Sequence, residues 1–137
     1  MSMPKIKSCR EITAQPTLPD ANGYTWVYDS TKPDKTDSGT AIGKTATVPT
    51  AGPARGGAKN TRIMFTCAST GQDVTAVFYR LDGAGVWKLY KSTTITAGNT
   101  PQGFNWTVYS PDALVGILGG ATPPTTLTTT FLQTEQP

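Results

Sequence analysis

The chain has no histidine among its 137 residues. Histidine is the commonest general base, the usual partner of a serine or cysteine nucleophile, and the commonest zinc ligand. The nine acidic residues are scattered, and most lie beside Gly, Pro or Ser, where aspartate forms and caps turns. We therefore predict no catalytic residue, no metal site and no cofactor. A small hydrolase with two converging carboxylates stays open as an alternative.

Cysteine and long apolar runs are also scarce. Cys9 and Cys67 belong to no CxxC pair, and Cys67 lies in a strand-like apolar run that predicts a buried thiol. Whether the two pair is left open. No apolar stretch approaches the length of a membrane span, and the first twelve residues lack the apolar core of a signal peptide. We expect synthesis in the cytoplasm, no export by the general route and no membrane partner.

Charged residues make up only 15% of the chain, while threonine, glycine and proline number 25, 14 and 11. Threonine is β-branched and favours strands, whereas glycine and proline end helices and build turns. The net charge of +3 is mild, which permits an acidic partner surface without requiring nucleic acid. Two lysine-containing glycine-rich stretches, 39–45 and 52–59, fail the spacing or lysine position of a phosphate loop.

Strand-like segments follow one another from residue 24 onward, separated by turn sequences. The clearest is 73–81, where Val74, Ala76 and Phe78 alternate with Val77 and Tyr79. Asp-Gly-Ala-Gly at 82–85 predicts a hairpin with the segment 86–95. The predicted strands are 24–28, 45–48, 61–68, 73–81, 86–95, 103–109, 113–118 and 125–133. Residues 112–118 could instead form a helical turn. Seven or eight strands without helical periodicity predict an all-β antiparallel β-sandwich or jelly roll.

The domain organisation predicted is an extended N-terminal arm over 1–22 and one β-sandwich domain over 23–137. The arm is polar and interrupted by proline. A long irregular loop at 29–58 lies inside the domain, and a loop of that length usually serves a function or is disordered. Basic residues in the arm, the loop and the strand that follows are the candidate partner contacts: Lys5, Lys7, Arg10, Arg55, Lys59 and Arg62.

The aromatic residues divide into a predicted core set and a predicted surface set. A small domain needs bulky side chains inside, so we assign the aromatics at inward strand positions to the core: Trp26, Phe78, Trp87, Phe104 and Trp106. Tyr79, Tyr90 and Tyr109 are candidates for an outer face.

The segment 61–118 resembles the small β-sandwich or jelly-roll cement (decoration) proteins of tailed bacteriophage capsids. The resemblance lies in DVTAVFYRLDGAGVWKLYKSTTI followed by GFNWTVYSPDALVGIL: a hydrophobic strand, a hairpin whose second strand carries Trp, then an aromatic strand leading through Pro-Asp to an apolar one. It implies a virion structural protein on the capsid surface, a homo-oligomer (dimer or trimer) bound to the major capsid protein or other virion proteins through its arm and loops.

Two other binding functions remain open at the level of sequence. The chain could be another head, neck or tail component of a phage. It could also be a carbohydrate-binding β-sandwich module, which predicts aromatic side chains exposed on one sheet face. Neither alternative calls for a specific nucleic-acid partner.

Overall fold

The computed structural model describes residues 8–14, 17–29, 43–50, 61–98, 100–108 and 113–135. The described part is built of β-strands joined by turns. In chain order they are β1 (Ser8–Ala14), β2 (Tyr24–Asp29), β3 (Gly43–Thr45), β4 (Thr61–Thr70), β5 (Val74–Leu81), β6 (Trp87–Ile95), β7 (Gln102–Val108), β8 (Ala113–Leu118) and β9 (Thr126–Glu135).

The strands form two antiparallel sheets. The first sheet has the order β1-β9-β4-β7, and the second has the order β3-β2-β8-β5-β6. Apart from β3, the pairs nest: β1 with β9, β2 with β8, β4 with β7, and β5 with β6. In this pattern the first strands of the chain pair with the last ones, and the middle strands pair with each other. This is the strand pairing of a jelly roll. The predicted fold class, an antiparallel β-sandwich or jelly roll, is confirmed.

The space between the two sheets holds the main core. Phe65 of the first sheet meets Phe78 of the second edge-to-face, with ring centroids 5.8 Å apart and an interplanar angle of 80°. Aliphatic side chains fill the space around them, including Ile95, Ile117 and Leu127. Burial of such side chains contributes about 1.5–3 kcal/mol each, so this layer supplies much of the driving force for folding.

Polar groups buried near this core are paired through hydrogen bonds. The Thr25 hydroxyl donates to the Thr17 carbonyl oxygen at 2.7 Å, and the Ser69 hydroxyl donates to the Gln72 carbonyl oxygen at 2.7 Å. Thr17 lies in the irregular segment that precedes β2, and Gln72 lies in the bend between β4 and β5, so the bonds tie these connections to the sheets. An unpaired buried hydroxyl would cost about 1–3 kcal/mol.

β8 lies inside the second sheet, between β2 and β5. All five residues from Ala113 to Ile117 are buried, because one face of the strand packs on the first sheet and the other lies under a second apolar layer. This double burial explains why the sequence of β8 is apolar without alternation. The alternative of a helical turn over 112–118 is therefore wrong for Ala113–Leu118.

Two sequence predictions need correction. Part of the predicted arm, Ser8–Ala14, pairs with β9 along its whole length and is the edge strand of the first sheet. Pro4 and Pro16 flank this run and none interrupts it, so its backbone can pair. The short strand predicted at 45–48 is instead β3 at Gly43–Thr45, paired with β2. Most of the predicted loop, 30–42 and 51–58, lies outside the described residues.

Candidate functional site

The outer face of the second sheet carries a second apolar layer. Its fully buried members come from four different strands and are Trp26, Val77, Tyr79, Trp87 and Leu114. Val48, in the segment that follows β3, packs against them. The second sheet is therefore covered by apolar side chains on both faces.

Trp26 is the centre of this layer. Its indole stacks on Tyr24, with centroids 4.9 Å apart at 15°, and meets Tyr79 edge-on at 5.8 Å. Beneath it lies Gly116 on β8, directly opposite Trp26 in the register. A Cβ at Gly116 would lie 2.4 Å from Trp26 Cε3, so only glycine leaves room for the flat ring.

The tyrosines of the layer are joined through their hydroxyls. Burial of Tyr79 is the main cause that raises its pKa to about 12, and a hydrogen bond to the Tyr24 side chain raises it further. Tyr79 thus stays neutral across the physiological range. Its role is to hold β5 against β2 across the intervening β8.

Two indole N–H groups among the described residues are buried without a hydrogen-bond acceptor: Trp26 Nε1 and Trp87 Nε1. An unsatisfied buried donor costs about 1–3 kcal/mol. The fold tolerates this cost because both rings bury large apolar areas in the layer.

The β5–β6 turn is held by one carboxylate. Asp82 Oδ1 accepts from the backbone N–H groups of Ala84 and Val86, each at 2.9 Å, and Gly85 adopts a left-handed φ of 80°. This is the three-residue hairpin turn that ends in a left-handed glycine. The bond from the Val86 N–H is the first cause that lowers the pKa of Asp82.

Exposed apolar side chains lie at the end of this turn and in β6. Val86, Leu89 and Tyr90 are 50%, 58% and 49% exposed. A bulge in the β5–β6 pairing falls at Tyr90, so Phe78 faces Lys91 and Tyr79 faces Leu89. The bulge brings Tyr90 under Arg80, whose guanidinium carbon is 5.4 Å from the ring centroid.

Two clefts flank the hairpin end. An open cleft of about 250 Å³ is lined by Arg80, Leu81, Asp82, Lys88, Leu89 and Tyr90. A second cleft of about 300 Å³ is lined by Val48, Pro49, Thr50, Gly85, Val86 and Trp87. We call the exposed part of this region the hairpin surface and define it as Arg80, Val86, Lys88, Leu89, Tyr90 and Lys91. It is the candidate functional site, since it combines apolar and basic groups on the β5–β6 hairpin, and β6 pairs with β5 alone among the described strands.

The acidic side chains that the structure describes serve local structure. Asp20 accepts from Lys44 Nζ at 2.9 Å, in an exposed ion pair. Asp73 accepts from the Ala97 N–H at 2.8 Å, and Asp82 holds its turn. Within the described ranges, no three Cys, Asp or Glu side chains are placed so that they could hold a metal ion.

Of the six basic residues predicted as partner contacts, the structure describes the strand positions of two. Lys5, Lys7, Arg55 and Lys59 lie outside it. Arg10 lies in β1 opposite Gln133, and Arg62 lies in β4 opposite Thr134. Because β9 runs between β1 and β4, the two arginine backbones are about 10 Å apart across the sheet.

Three of the five aromatic residues predicted for the core are buried, and they lie in two different layers. Phe78 is buried between the sheets, whereas Trp26 and Trp87 are buried in the outer layer. Phe104 and Trp106 lie opposite Phe65 and Ile63 in the β4–β7 register. Among the residues predicted for an outer face, Tyr79 is on that face but buried, Tyr90 is half exposed, and Tyr109 is outside the described residues.

Arg80, Lys88 and Leu89 were not among the site residues predicted from the sequence. The sequence did contain one signal for the bulge. Two consecutive apolar residues, Leu89 and Tyr90, lie between two lysines and so break the alternation of apolar and polar residues expected of a regular strand. The exposure of Leu89 had no such signal, since it depends on β6 having a neighbour on one side only among the described strands.

Cys67 is a free thiol that is buried between the sheets. Burial raises its pKa to about 12, so it is neutral and unreactive at physiological pH. Cys67 is therefore not paired with Cys9.

No helix with the length and apolarity of a membrane span occurs in the described part of the chain.

No protein family and no curated protein matches the sequence. Among solved structures, the chain is similar to a protein of the Bacillus endospore appendages, described as a novel family of disulfide-linked pili. The identity is 18% over 92% of this chain and 81% of that chain, with a TM-score of 0.44. It is also similar to the Yersinia pseudotuberculosis-derived mitogen, with 14% identity over 95% of this chain and 86% of that chain and a TM-score of 0.44. Both are small β proteins, at a similarity too low to carry a functional argument, and the resemblance to capsid cement proteins stays a prediction.

Proposed function

We propose that this protein is a structural component of a virus particle, a capsid cement protein that attaches to the major capsid protein and stabilises the shell. The observation that carries the proposal is the hairpin surface: an apolar and basic strand edge on a jelly roll whose described carboxylates all serve turns or an ion pair. Such a surface is suited to contact with another protein.

The fold supports this proposal at the level of class. Jelly rolls recur in viral capsid and lectin domains. Since one fold hosts many functions, the proposed function has to be inferred from the surface residues of this protein. Val86, Leu89 and Tyr90 are three large apolar side chains that are exposed within five residues of the chain, and they line the two clefts beside the hairpin. Exposed apolar side chains grouped in this way are typical of sites that contact another protein.

The edge position of β1 adds a second route of attachment. β1 is joined to the first sheet through β9 alone among the described strands, and its preceding residues carry Lys5 and Lys7. An N-terminal segment at a sheet edge can extend onto a neighbouring subunit. Contacts of this kind are weak singly, but they add when many copies bind one shell.

The carbohydrate-binding alternative receives less support from the described residues. A flat sugar platform needs exposed rings, whereas Trp26, Tyr79 and Trp87 are buried in the outer layer. Tyr24 is partly buried against Trp26, and Tyr90, which lies under Arg80, is half exposed. Titration of the isolated protein with sugars, compared with Tyr90→Ala, measures whether that ring binds any.

Particles purified from the source provide the direct test. We expect quantitative mass spectrometry to find the chain at a copy number comparable with that of the capsid protein. Shells stripped of it should rebind the purified protein and withstand a higher temperature afterwards. Native mass spectrometry of the free protein should show dimers or trimers. Absence from the particles, or stripped shells that neither bind nor gain stability, would contradict the proposal.

A further inference from the structure

We propose that β6 binds an acidic, extended segment of a neighbouring protein, which adds to the second sheet as a further strand. This inference rests on the proposed function in one respect only, which is the expectation that the segment comes from another protein of the virus particle. Its basis is the position, length and charge of β6 together with the geometry of the hairpin surface.

β6 is placed to accept a strand. It pairs with β5 on one side, and among the described strands none lies on its other side. It is nine residues long, and six of those residues are exposed. A long edge strand is the template for strand addition, in which main-chain hydrogen bonds supply affinity and alternate side chains supply specificity.

The charge of the hairpin surface defines the chemistry of the partner. Arg80, Lys88 and Lys91 are exposed cations within this hairpin. Its acidic residue, Asp82, accepts two turn N–H groups through Oδ1, and its pKa is lowered first by the bond from the Val86 N–H and also by the charge of Lys88. Carboxylates on an added strand would meet these cations, while apolar side chains would cover Leu89 and Tyr90.

The same charges disfavour a second copy of this chain as the occupant. Antiparallel pairing of two β6 strands would bring lysines of one copy close to lysines of the other. Like charges on neighbouring strands are destabilising, and lysine on an edge is a recognised device against self-pairing. An acidic strand relieves this repulsion, which is why the surface favours a different protein.

The bulge at Tyr90 sets where the acidic residues of the partner should lie. Before the bulge, Trp87–Leu89 run beside the turn, and after it the pairing continues from Lys91 to Ile95. Bulges re-aim side chains and interrupt a ladder. The added strand therefore pairs with the regular part that begins at Lys91, and its acidic end reaches Arg80 and Lys88 near the turn.

Two synthetic peptides test the proposal on the full-length protein. The first is a ten-residue peptide that alternates Thr and Val and ends in three Glu, and the second carries Lys in place of Glu. We expect the acidic peptide alone to bind and to shift the backbone NMR signals of residues 87–95. An acidic peptide N-methylated at alternate amides should lose binding, because strand addition uses main-chain N–H groups.

Matched variants separate this site from general charge attraction. Lys88→Gln should weaken peptide binding about threefold, as expected for the loss of one exposed ion pair. Lys44→Gln removes an exposed lysine from β3, at the opposite edge of the sheet, and should leave binding unchanged. Unchanged thermal melting would show that these variants fold.

Three outcomes would overturn the inference. The Lys44→Gln control could lose as much peptide binding as the β6 variant, or the N-methylated peptide could bind as well as the unmethylated one. The third is that a single-stranded DNA oligonucleotide binds at the same residues more tightly than the acidic peptide. Particle attachment separates the two proposals. If the β6 variant attaches to shells like wild type, this site is wrong although the proposed function stands. If the chain is absent from particles but the peptide results hold, the site stands without that function.

Discussion

Replacement of Gly116 by alanine tests how tightly the outer aromatic layer is packed. The new Cβ would lie 2.4 Å from Trp26 Cε3 and 2.6 Å from Cζ3. Carbon atoms in contact normally stay about 3.5–4.0 Å apart, so the indole would have to move by about 1 Å.

Trp26 has little room to make that movement. It is 2% exposed, Tyr24 stacks on it, and Tyr79 contacts it edge-on. Overpacking of a well-filled core costs about 1–3 kcal/mol, and this site belongs near the upper end. For a domain of this size we expect the melting temperature to fall by roughly 10 °C.

Gly83→Ala is the matched control. A Cβ at Gly83 meets no atom within 4 Å, and Gly83 lies outside the left-handed region. Its effect on unfolding free energy should stay within about 0.5 kcal/mol. Chemical denaturation and thermal melting followed by circular dichroism measure both variants.

A double-mutant cycle identifies the cause. Phenylalanine at position 26 lacks the benzo ring that carries Cε3 and Cζ3. In a Trp26→Phe background, Gly116→Ala should therefore cost about 1 kcal/mol less than in the wild type. The reasoning is refuted if Gly116→Ala and Gly83→Ala have equal effects, or if the cycle shows no coupling.

Three further predictions concern titratable groups. Asp82→Ala should lower the melting temperature at pH 7. Because folding lowers the pKa of Asp82 from 3.8, the difference from wild type should shrink as the pH falls below about 4, and a gap that widens as the pH falls would contradict this assignment. In a Cys9→Ser variant, the remaining Cys67 should not react with a thiol reagent at pH 8 until denaturant unfolds the protein; rapid reaction in the native state would show that it is accessible. The pKa of Tyr79 is raised from 10.0 to about 12, so its contribution to stability is present below pH 10 and is lost as the pH rises through 12. Tyr79→Phe should reduce the loss of stability over that alkaline range, as pH-dependent melting would show, and an unaltered alkaline profile would count against it.

Local pattern was enough to locate most strands. In β5, Val74, Ala76 and Phe78 face the first sheet while Val77 and Tyr79 face outward, as the two-residue period predicts. The Asp82–Gly85 turn was also readable, because aspartate and a left-handed glycine are what that turn requires. The apolar run in β8 left helix and strand open, since a residue buried on both faces carries no periodic signal.

Composition and period therefore determined the all-β class, the strand positions and the hairpin turn, because these depend on neighbours in the chain. Only the tertiary structure decided the rest. Pairing of Ser8 with Glu135 joins the two ends of the sequence, and no local pattern encodes such a contact. The buried aromatic layer requires Gly116 beneath Trp26, and the exposure of Leu89 requires β6 to be an edge strand. Both follow from which strands become neighbours, and that choice is made by the packing of the whole chain.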